Sequence, residues 1–438
     1  MRLTRGLGKL IGAVAVAGSL ATVASGCAAS GAAPLGASSL AVAAVAAKAP
    51  AARVAAAAAS PEVTATASAT TAAAKSAAAT SVAATKAAAT AKAGPSAADA
   101  SPAAAVTAAV PAVGNPSGTV AVPAAARAVS TAHPNHVIGR GTPASCTSAA
   151  VVKAVAEGGV ITFSCGPKPV TITMTATAKV INTSHRVVLD GGGKVTLSGG
   201  GKVRILYMNT CDPKQVWTTA VCYEQEWPQL VVQNLTFKNA YSSMRQTPTS
   251  TPWYGGGAIF DEGGQLKVVN SAFIDNRCYA TGLDLSGGAI RAYAMYQAVP
   301  TYLTHDTFTG NTCANGGAVG GLHANFDVIN TLMTDNKATG WGANPAPAGT
   351  PGGGSGGAIF TDGVGFNLLI DGTRISDNNA REGGGAIFYT DHFSPGTLTI
   401  EYSTLHHNPS GVFQNAPGIY YSVENNVIPP IEIHSTVN

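Results

Sequence analysis

The stretches VVNSAFIDNRC (Val268–Cys278) and LTHDTFTGNTC (Leu303–Cys313) share one pattern. Counting back from the asparagine near the end of each, a large apolar residue stands eight places and again three places earlier. A small residue stands two places later. The pattern occurs five times, and its asparagines are Asn276, Asn311, Asn336, Asn378 and Asn408. Its internal spacing is constant while the intervals between copies vary, which is typical of a solenoid with variable loops.

A Gly-Gly-Ala-Ile or Gly-Gly-Ala-Val motif precedes each copy. These motifs begin at Gly256, Gly287, Gly316, Gly356 and Gly384. The runs between the motifs have the length of strands, and no long amphipathic helix interrupts them. A single-stranded parallel β-helix explains this pattern, because its coils stack about 4.8 Å apart and equivalent residues form columns. The alternative, a β-sandwich, would predict hairpins and no such columns.

The asparagine column has a specific expected role. Stacked side-chain amides can hydrogen-bond from coil to coil. Asparagine also tolerates the left-handed backbone of a sharp bend. We therefore expect the five asparagines to form a ladder at one turn of every coil.

Cysteine usage indicates an oxidising compartment. The chain has seven cysteines, and setting Cys27 aside leaves an even number. Cys278 and Cys313 occupy the same place in consecutive coils, and a separation of about 4.8 Å suits a disulfide. The predicted pairs, the last two from nearness in sequence, are Cys278–Cys313, Cys211–Cys222 and Cys146–Cys165.

The start of the repeat region carries the clearest helix signal of the chain. Residues 147–157 (TSAAVVKAVAE) have a Thr or Ser N-cap and apolar valines, and two glycines follow as a stop. A β-helix has an open apolar end, so a short helix here is expected to act as its lid. We therefore predict an all-β domain over residues 136–438 with an N-terminal capping helix.

The first 27 residues are typical of an export signal, with Arg2, Arg5 and Lys9 before an apolar run. The segment ends in small residues before Cys27, which resembles a bacterial lipobox, although Ala24 replaces the usual large aliphatic residue. The prediction is a signal peptide at 1–27, either with lipid attached to Cys27 or with ordinary cleavage and secretion. The expected location is extracellular or on the cell surface.

Residues 28–135 are rich in Ala, Thr, Ser and Pro, which predicts a disordered tether. The tether carries six Lys or Arg against two Asp or Glu, whereas residues 136–438 carry 17 against 20. The net charge of +4 therefore comes from the signal and the tether. Because the folded part lacks a basic excess, we expect no nucleic-acid partner.

Two sequence features resemble known families. The Gly-Gly-Ala-Ile units alternating with Phe-x-x-Asn (Phe273 to Asn276, Phe308 to Asn311) resemble polymorphic outer-membrane protein repeats. The segments AVAEGGVITFSC and VVLDGGG resemble the start of bacterial extracellular pectin-lyase-like proteins. The resemblance covers about residues 145–410. It implies a right-handed solenoid at the cell surface with an adhesive or glycan-related role, and it leaves the activity open.

Polar residues follow the Gly-Gly-Ala motifs, and these are the candidate catalytic residues: Asp261, Glu262, Arg291, Asp362 and Asp391. Asp261 or Glu262 with Arg291 could serve a lyase, in which a base acts near C5 and a cation neutralises a uronate. Glu262 with Asp362 or Asp391 could serve a hydrolase. The alternative is that these are solvated turn residues. Asp391-His392 weakly resembles a pectate-lyase Asp-His pair.

A second set of residues could stack on sugar rings or contact a partner. These candidate binding residues are Trp217, Trp227, Trp253, Tyr254, Tyr293 and His323. The alternative is that the loop aromatics pack down onto the solenoid. No metal site is expected, and no cofactor apart from calcium if the chain is a lyase.

The leading functional hypothesis is a surface protein that binds glycan or another surface, in the manner of an adhesin. The alternatives are a polysaccharide lyase or glycoside hydrolase working in a groove, and a structural cell-wall spacer. The expected partner is a polysaccharide, a cell-surface glycan or a protein. Membrane contact is expected only through the lipid, and the chain is expected to be monomeric.

Overall fold

The computed structural model describes residues 112–245, 254–342, 351–392, 396–423 and 431–438, all of which belong to one compact unit, Asp99–Asn438. The predicted signal peptide, Cys27 and the tether up to residue 111 lie outside the described residues. Trp253 does so too.

Short strands pair in parallel into three sheets. The first sheet has 17 strands: His136–Ile138, Gly159–Phe163, Val170–Thr173, Arg186–Ser198, Gln229–Lys238, Gln265–Val269, Ala272–Ile274, Thr301–Thr304, Thr307–Thr309, Phe326–Ile329, Leu332–Thr334, Asn367–Asp371, Arg374–Ser376, Thr397–Glu401, Thr404–His406, Ile431–Ile433 and Thr436–Val437. The second sheet has eight: Ala178–Val180, Leu206–Asn209, Ile259–Glu262, Ile290–Tyr293, Val319–Leu322, Ile359–Gly363, Ile387–Asp391 and Ile419–Val423. The third has Thr312–Cys313, Lys337–Ala338 and Asn379–Ala380.

Successive copies of the repeat lie on one another as coils of a stack. Phe273, for example, is in register with Phe237 on one side and Phe308 on the other, and their rings stack with centroids 4.9 and 4.8 Å apart. Apolar columns of this kind form one continuous buried core. The protein is therefore mostly β, with stacked parallel sheets that are compatible with a β-helix solenoid.

One α-helix, Ser148–Glu157, lies where the sequence predicts it. The Thr147 hydroxyl caps it by accepting a hydrogen bond from the N–H of Ala150, and Gly158 ends it with a φ of 77°. Its buried face packs against the strands at the start of the stack. Short 3₁₀ helices span Ala124–Ala126, Pro143–Ser145, Cys222–Glu224 and Tyr296–Ala298.

The five repeat asparagines form a ladder of side-chain amides. The Nδ2 of each of the first four donates to the Oδ1 of the next asparagine, for example from Asn276 to Asn311 at 3.0 Å and from Asn336 to Asn378 at 2.8 Å. The same Oδ1 accepts the backbone N–H of the residue below, and each Nδ2 also donates to a backbone carbonyl of a preceding strand. All five are buried, and their backbones are not left-handed as expected. The left-handed residue is the one before each, such as Asp275 or Gly310.

The sequence pattern did not reveal a second internal ladder. Its members share a short oxygen-bearing side chain that accepts a backbone N–H from the coil below: Ser271, Asp306, Thr331, Thr373, Ser403 and Ser435. Because serine, threonine and aspartate alternate without a constant letter, counting identical residues cannot find this column.

The structure contains the three predicted disulfides. Cys278 and Cys313 lie on neighbouring coils with their Cα atoms 4.7 Å apart. Cys146–Cys165 and Cys211–Cys222 have Cα separations of 5.7 and 5.0 Å. Disulfides are typical of an oxidising, extracellular environment.

Residues 112–135, which the sequence analysis assigned to the tether, lie along the first sheet and hydrogen-bond to several coils. We call this segment the strap. Hydrogen bonds to polar side chains hold the strap in place. Because it has few large apolar residues, the sequence gives no sign that it belongs to the folded domain.

Removing one ladder amide should destabilise the stack. Asn336→Ala removes the side-chain partner of the Asn311 backbone N–H and amide and of the Phe308 carbonyl, and each buried group left unpaired costs about 1–3 kcal/mol. We expect a loss of about 3 kcal/mol or more in the free energy of unfolding, measured by equilibrium denaturation. The matched control is Lys337→Ala, because Lys337 is adjacent and exposed. Equal effects of the two changes would contradict the ladder's role.

The disulfide between coils should stabilise the folded state through the 35-residue loop that it closes. For that loop length the chain-entropy relation gives about 3–4 kcal/mol. We expect the double variant Cys278→Ala, Cys313→Ala to lose about that much in urea unfolding. An unchanged midpoint would show that the bond does not constrain the unfolded chain.

Candidate functional site

The second sheet carries most of the candidate residues, and strand alternation sends them to opposite sides. Asp261 is in register with Met208 and Ala292, which belong to the core. Glu262, the next residue, is in register with Asn209 and Tyr293 on the outward side. Neighbours in sequence therefore occupy different environments.

Asp261 faces the interior of the stack. It is fully buried, and neither carboxyl oxygen has a hydrogen-bond partner among the residues that the structure describes. Burial, with a smaller contribution from Glu262, raises the pKa of the Asp261 carboxyl well above its usual range. This group is a neutral core residue that offers no surface to a polysaccharide.

Asp391 is also an interior group. Its carboxylate accepts hydrogen bonds from the backbone N–H of Gly365 at 3.1 Å and of Gly396 at 2.7 Å. On the next coil, the residue in register with Asp391 is Val423, which belongs to the core. Asp391 therefore holds two loops together and is not placed to contact a ligand.

Arg291 is buried beneath Tyr254. Only 1% of Arg291 is exposed, and its Nη1 donates to the carbonyl of Asp284 and, at 2.8 Å, to the Ser286 hydroxyl. Its guanidinium lies 5.2 Å from the centroid of the Tyr254 ring, and Tyr254 is itself 7% exposed. Burial lowers the pKa of Arg291. Arg291 therefore holds Asp284, Ser286 and Tyr254 in place. The Tyr254 ring packs against the arginine and is not available to stack on a sugar.

The carboxyl groups of Glu262 and Asp362, the candidate hydrolase pair, are too far apart for that reaction. Glu262 and Asp362 share one outward column, but Tyr293 and Leu322 stand between them. Three steps of about 4.8 Å place the two carboxyl groups about 14 Å apart, beyond the separation that glycosidases use. Glu262 is in addition only 5% exposed.

Four accessible side chains do come together on consecutive coils, and we call them the outward cluster: Tyr293, His323, Asp362 and His392. The rings of Tyr293 and His323 have centroids 6.3 Å apart. His392 Nε2 lies 2.7 Å from Asp362 Oδ1, a contact between neighbouring coils that the sequence analysis did not predict. His392 sits just past its strand, so its ring reaches back to the coil below.

His323 and Tyr293 of the outward cluster are uncharged at pH 7, which suits hydrogen bonds to an uncharged ligand. His323 Nδ1 accepts the backbone N–H of Val364 at 3.0 Å, which leaves the proton of the neutral ring on Nε2. Desolvation lowers the pKa of His323, so the ring is neutral at pH 7. Burial raises the pKa of Asp362, and His392 partly opposes that rise. Burial also keeps the Tyr293 hydroxyl protonated by raising its pKa.

The most exposed tryptophan side chain among the described residues is not one of those that the sequence analysis selected for binding. Trp217 and Trp227 are half-buried on the 210–228 loop, and the Trp227 ring lies tilted by 34° against His185 with centroids 4.5 Å apart. Trp341, which the sequence analysis did not select, is 41% exposed and lies against Arg381 at 5.4 Å. Its position in a glycine-rich loop gave no signal that distinguished it.

Other sites are less well formed. A cleft of about 420 Å³ at the start of the stack is lined by His136, Lys153 and Glu157, and it shares no residue with the outward cluster. In the described ranges, no group of three His, Cys, Asp or Glu side chains is arranged to hold a metal. No helix within those ranges has the length and apolarity needed to cross a membrane.

Comparison with known proteins adds no assignment. No family model matches the chain, and no curated protein or solved structure matches it. The motif resemblance to polymorphic outer-membrane protein repeats and pectin-lyase-like proteins therefore has no family match beside it.

The buried carboxyl of Asp261 gives a pH-dependent prediction. Because its folded-state pKa is raised, the folded protein keeps a proton that the unfolded chain loses above its pKa of about 3.9. The free energy of unfolding therefore falls as the pH rises past that value. Asp261→Asn removes this penalty, so the variant should match the wild type near pH 3.5 and become increasingly more stable towards pH 8.

The measurement is chemical denaturation across this pH range, with Asp335→Asn as the control because Asp335 is exposed. A constant difference between Asp261→Asn and wild type at all pH values would contradict the neutral, buried state.

Proposed function

We propose that the chain is an exported, surface-displayed right-handed parallel β-helix that binds glycan through the outward cluster. The observation that carries this proposal is the alignment of Tyr293, His323 and the Asp362–His392 pair on consecutive coils, where they remain accessible. The disulfides support an extracellular location.

The handedness and family in this proposal have separate support. Crossover connections between parallel strands are right-handed in about 98% of cases. The Gly-Gly-Ala-Ile and Phe-x-x-Asn motifs resemble polymorphic outer-membrane protein repeats, and the start of the domain resembles extracellular pectin-lyase-like proteins.

The chemistry of the cluster suits a polyhydroxylated ligand. The Tyr293 hydroxyl and the Nε2–H of His323 are donors, and the Asp362 carboxylate accepts. The Tyr293 ring supplies an apolar face for the C–H groups of a sugar. Because successive coils rise by about 4.8 Å, the cluster extends about 14 Å along the stack, which favours an extended chain over a single small molecule.

A second candidate function is polysaccharide cleavage, and one observation favours it. The Asp362 carboxylate orients the His392 imidazole at 2.7 Å, which is an arrangement that general bases use. Asp261, Arg291 and Asp391 have no part in this version because they are buried.

Both functions can be tested on the same samples. The secreted full chain is incubated with a polysaccharide panel, and binding, new reducing ends and unsaturated uronates are all measured. We expect binding without turnover. His323→Ala and Asp362→Asn should each weaken binding about 5–10-fold, the effect of losing one or two hydrogen bonds.

The matched control is Tyr402→Ala, because Tyr402 is exposed and lies at the turn that follows the first-sheet strand Thr397–Glu401, away from the outward cluster. Turnover that disappears in His392→Ala would favour the enzyme. Absence of both binding and turnover across the panel would contradict both functions.

A further inference from the structure

Polar side chains hold the strap by hydrogen-bonding to its backbone N–H and C=O groups, as a neighbouring strand would. Asn330 uses its amide in both directions, because Oδ1 accepts the N–H of Val120 at 3.1 Å and Nδ2 donates to the carbonyl of Val120 at 2.9 Å. Gln233 does the same with Val129, at 2.9 and 3.0 Å. Two amides from different coils thus replace the backbone of a neighbouring strand.

Further bonds bind the strap to coils at several heights. Near its start, Gly114 donates to the Thr307 hydroxyl, and the Asn115 side chain donates to the carbonyl of Gly372, both at 2.8 Å. Lower on the stack, the Thr131 hydroxyl donates to Asp190 Oδ2 at 2.9 Å. The strap therefore crosses the stack from the coil of Gly372 down to its first coils.

The surface on which the strap lies includes Asn330 and Gly372, and we call it the seat. Glycines on the seat and on the strap allow the two to approach closely. Turn residues at equivalent places on seven described coils have left-handed backbones, and all but one carry a large side chain: Asn234, Asn270, His305, Asn330, Gly372, Tyr402 and His434. Gly372 is the exception, because a Cβ there would stand 2.3 Å from Asn330 Oδ1 and 2.8 Å from a methyl group of Val120. On the strap, a Cβ at Gly118 would lie 2.6 Å from the Gly372 carbonyl oxygen. Both surfaces lack a side chain at the point of contact.

We propose that residues 114–131 are an intramolecular ligand for this seat, and that the strap transfers tension from the preceding chain to the middle of the stack. The seat fits an extended peptide of small residues. The mechanical role rests on the proposed surface display, since only an anchored chain is pulled from its N-terminal side.

The geometry explains why such a strap is useful. Without it, a pull on the chain would reach Asn135 and separate His136–Ile138 from Gly159–Phe163, the first strand pair. With it, the same pull first meets the bonds of Gly114, Asn115 and Val120 to coils near Thr307 and Asn330. Several bonds must then break together before the first coil is loaded.

Hydrogen exchange on the full chain tests the seat. Gly118→Val places a side chain against the Gly372 carbonyl, and Gly118 has no left-handed backbone that would add strain of its own. We expect exchange of the amides in residues 112–131 to become at least ~10-fold faster, with the stack amides unchanged. Asn330→Gly should do the same, because glycine keeps the left-handed turn while removing the amide.

The control is Ser117→Val, next to Gly118 but exposed. Wild-type strap amides that exchange like free peptide, or a Gly118→Val protein with undiminished protection, would overturn the proposal.

Pulling between the two ends of the full chain tests the mechanical role. In the wild type, an early step should release the strap, whose 24 residues extend to about 80 Å. In Gly118→Val this step should move to lower force or vanish. Unfolding of the first coils before the strap releases in the wild type would refute the role.

Glycan binding is measured on the same variants. A wild-type protein that binds no glycan but has protected strap amides would contradict the proposed function and leave the seat of the strap unaffected.

Discussion

The asparagine ladder is the constraint on which the rest of the structure depends. A parallel stack with insertions of different lengths must return each coil to the same register, and a slip by one residue would turn every side chain to the other face. Each ladder asparagine binds the backbone N–H and the amide of its neighbour, and also a strand carbonyl. Such a buried side chain can be satisfied in only one register, so variable loops are tolerated between fixed points.

The register then decides which polar residues are available for function. Asp261 and Glu262 are adjacent, yet one is enclosed with the core and the other lies on the outward side of the sheet, in register with Tyr293. Asp391 and His392 differ in the same way, since the aspartate ties loops together inside and the histidine pairs with Asp362 outside. Accessible chemistry therefore arises from residues on different coils, and pairs that are close in sequence are separated.

This separation explains how much the sequence could predict. Fixed offsets around Asn276 and Asn311 were enough to place Cys278 opposite Cys313 and to identify stacked parallel strands. The offsets do not say which residue of each Gly-Gly-Ala strand faces inward, because Asp261 in one coil corresponds to Ala292 in the next. The strap could not be predicted either, since Val120 and its partner Asn330 are 210 residues apart and Val120 lies outside every copy of the repeat.

Side-chain amides bind backbone groups at several places in this structure. Asn276 and its equivalents do this at a turn of the stack. Asn315 accepts the N–H of Ser355 and donates to the carbonyl of Leu283, and Asn330 and Gln233 hold the strap. An amide carries a donor and an acceptor in fixed geometry, as a peptide unit does, so it can stand in for a strand where loops of different lengths prevent one from forming. The abundance of asparagine is thus a consequence of the variable coils, and the strap extends the same solution to the outside of the stack.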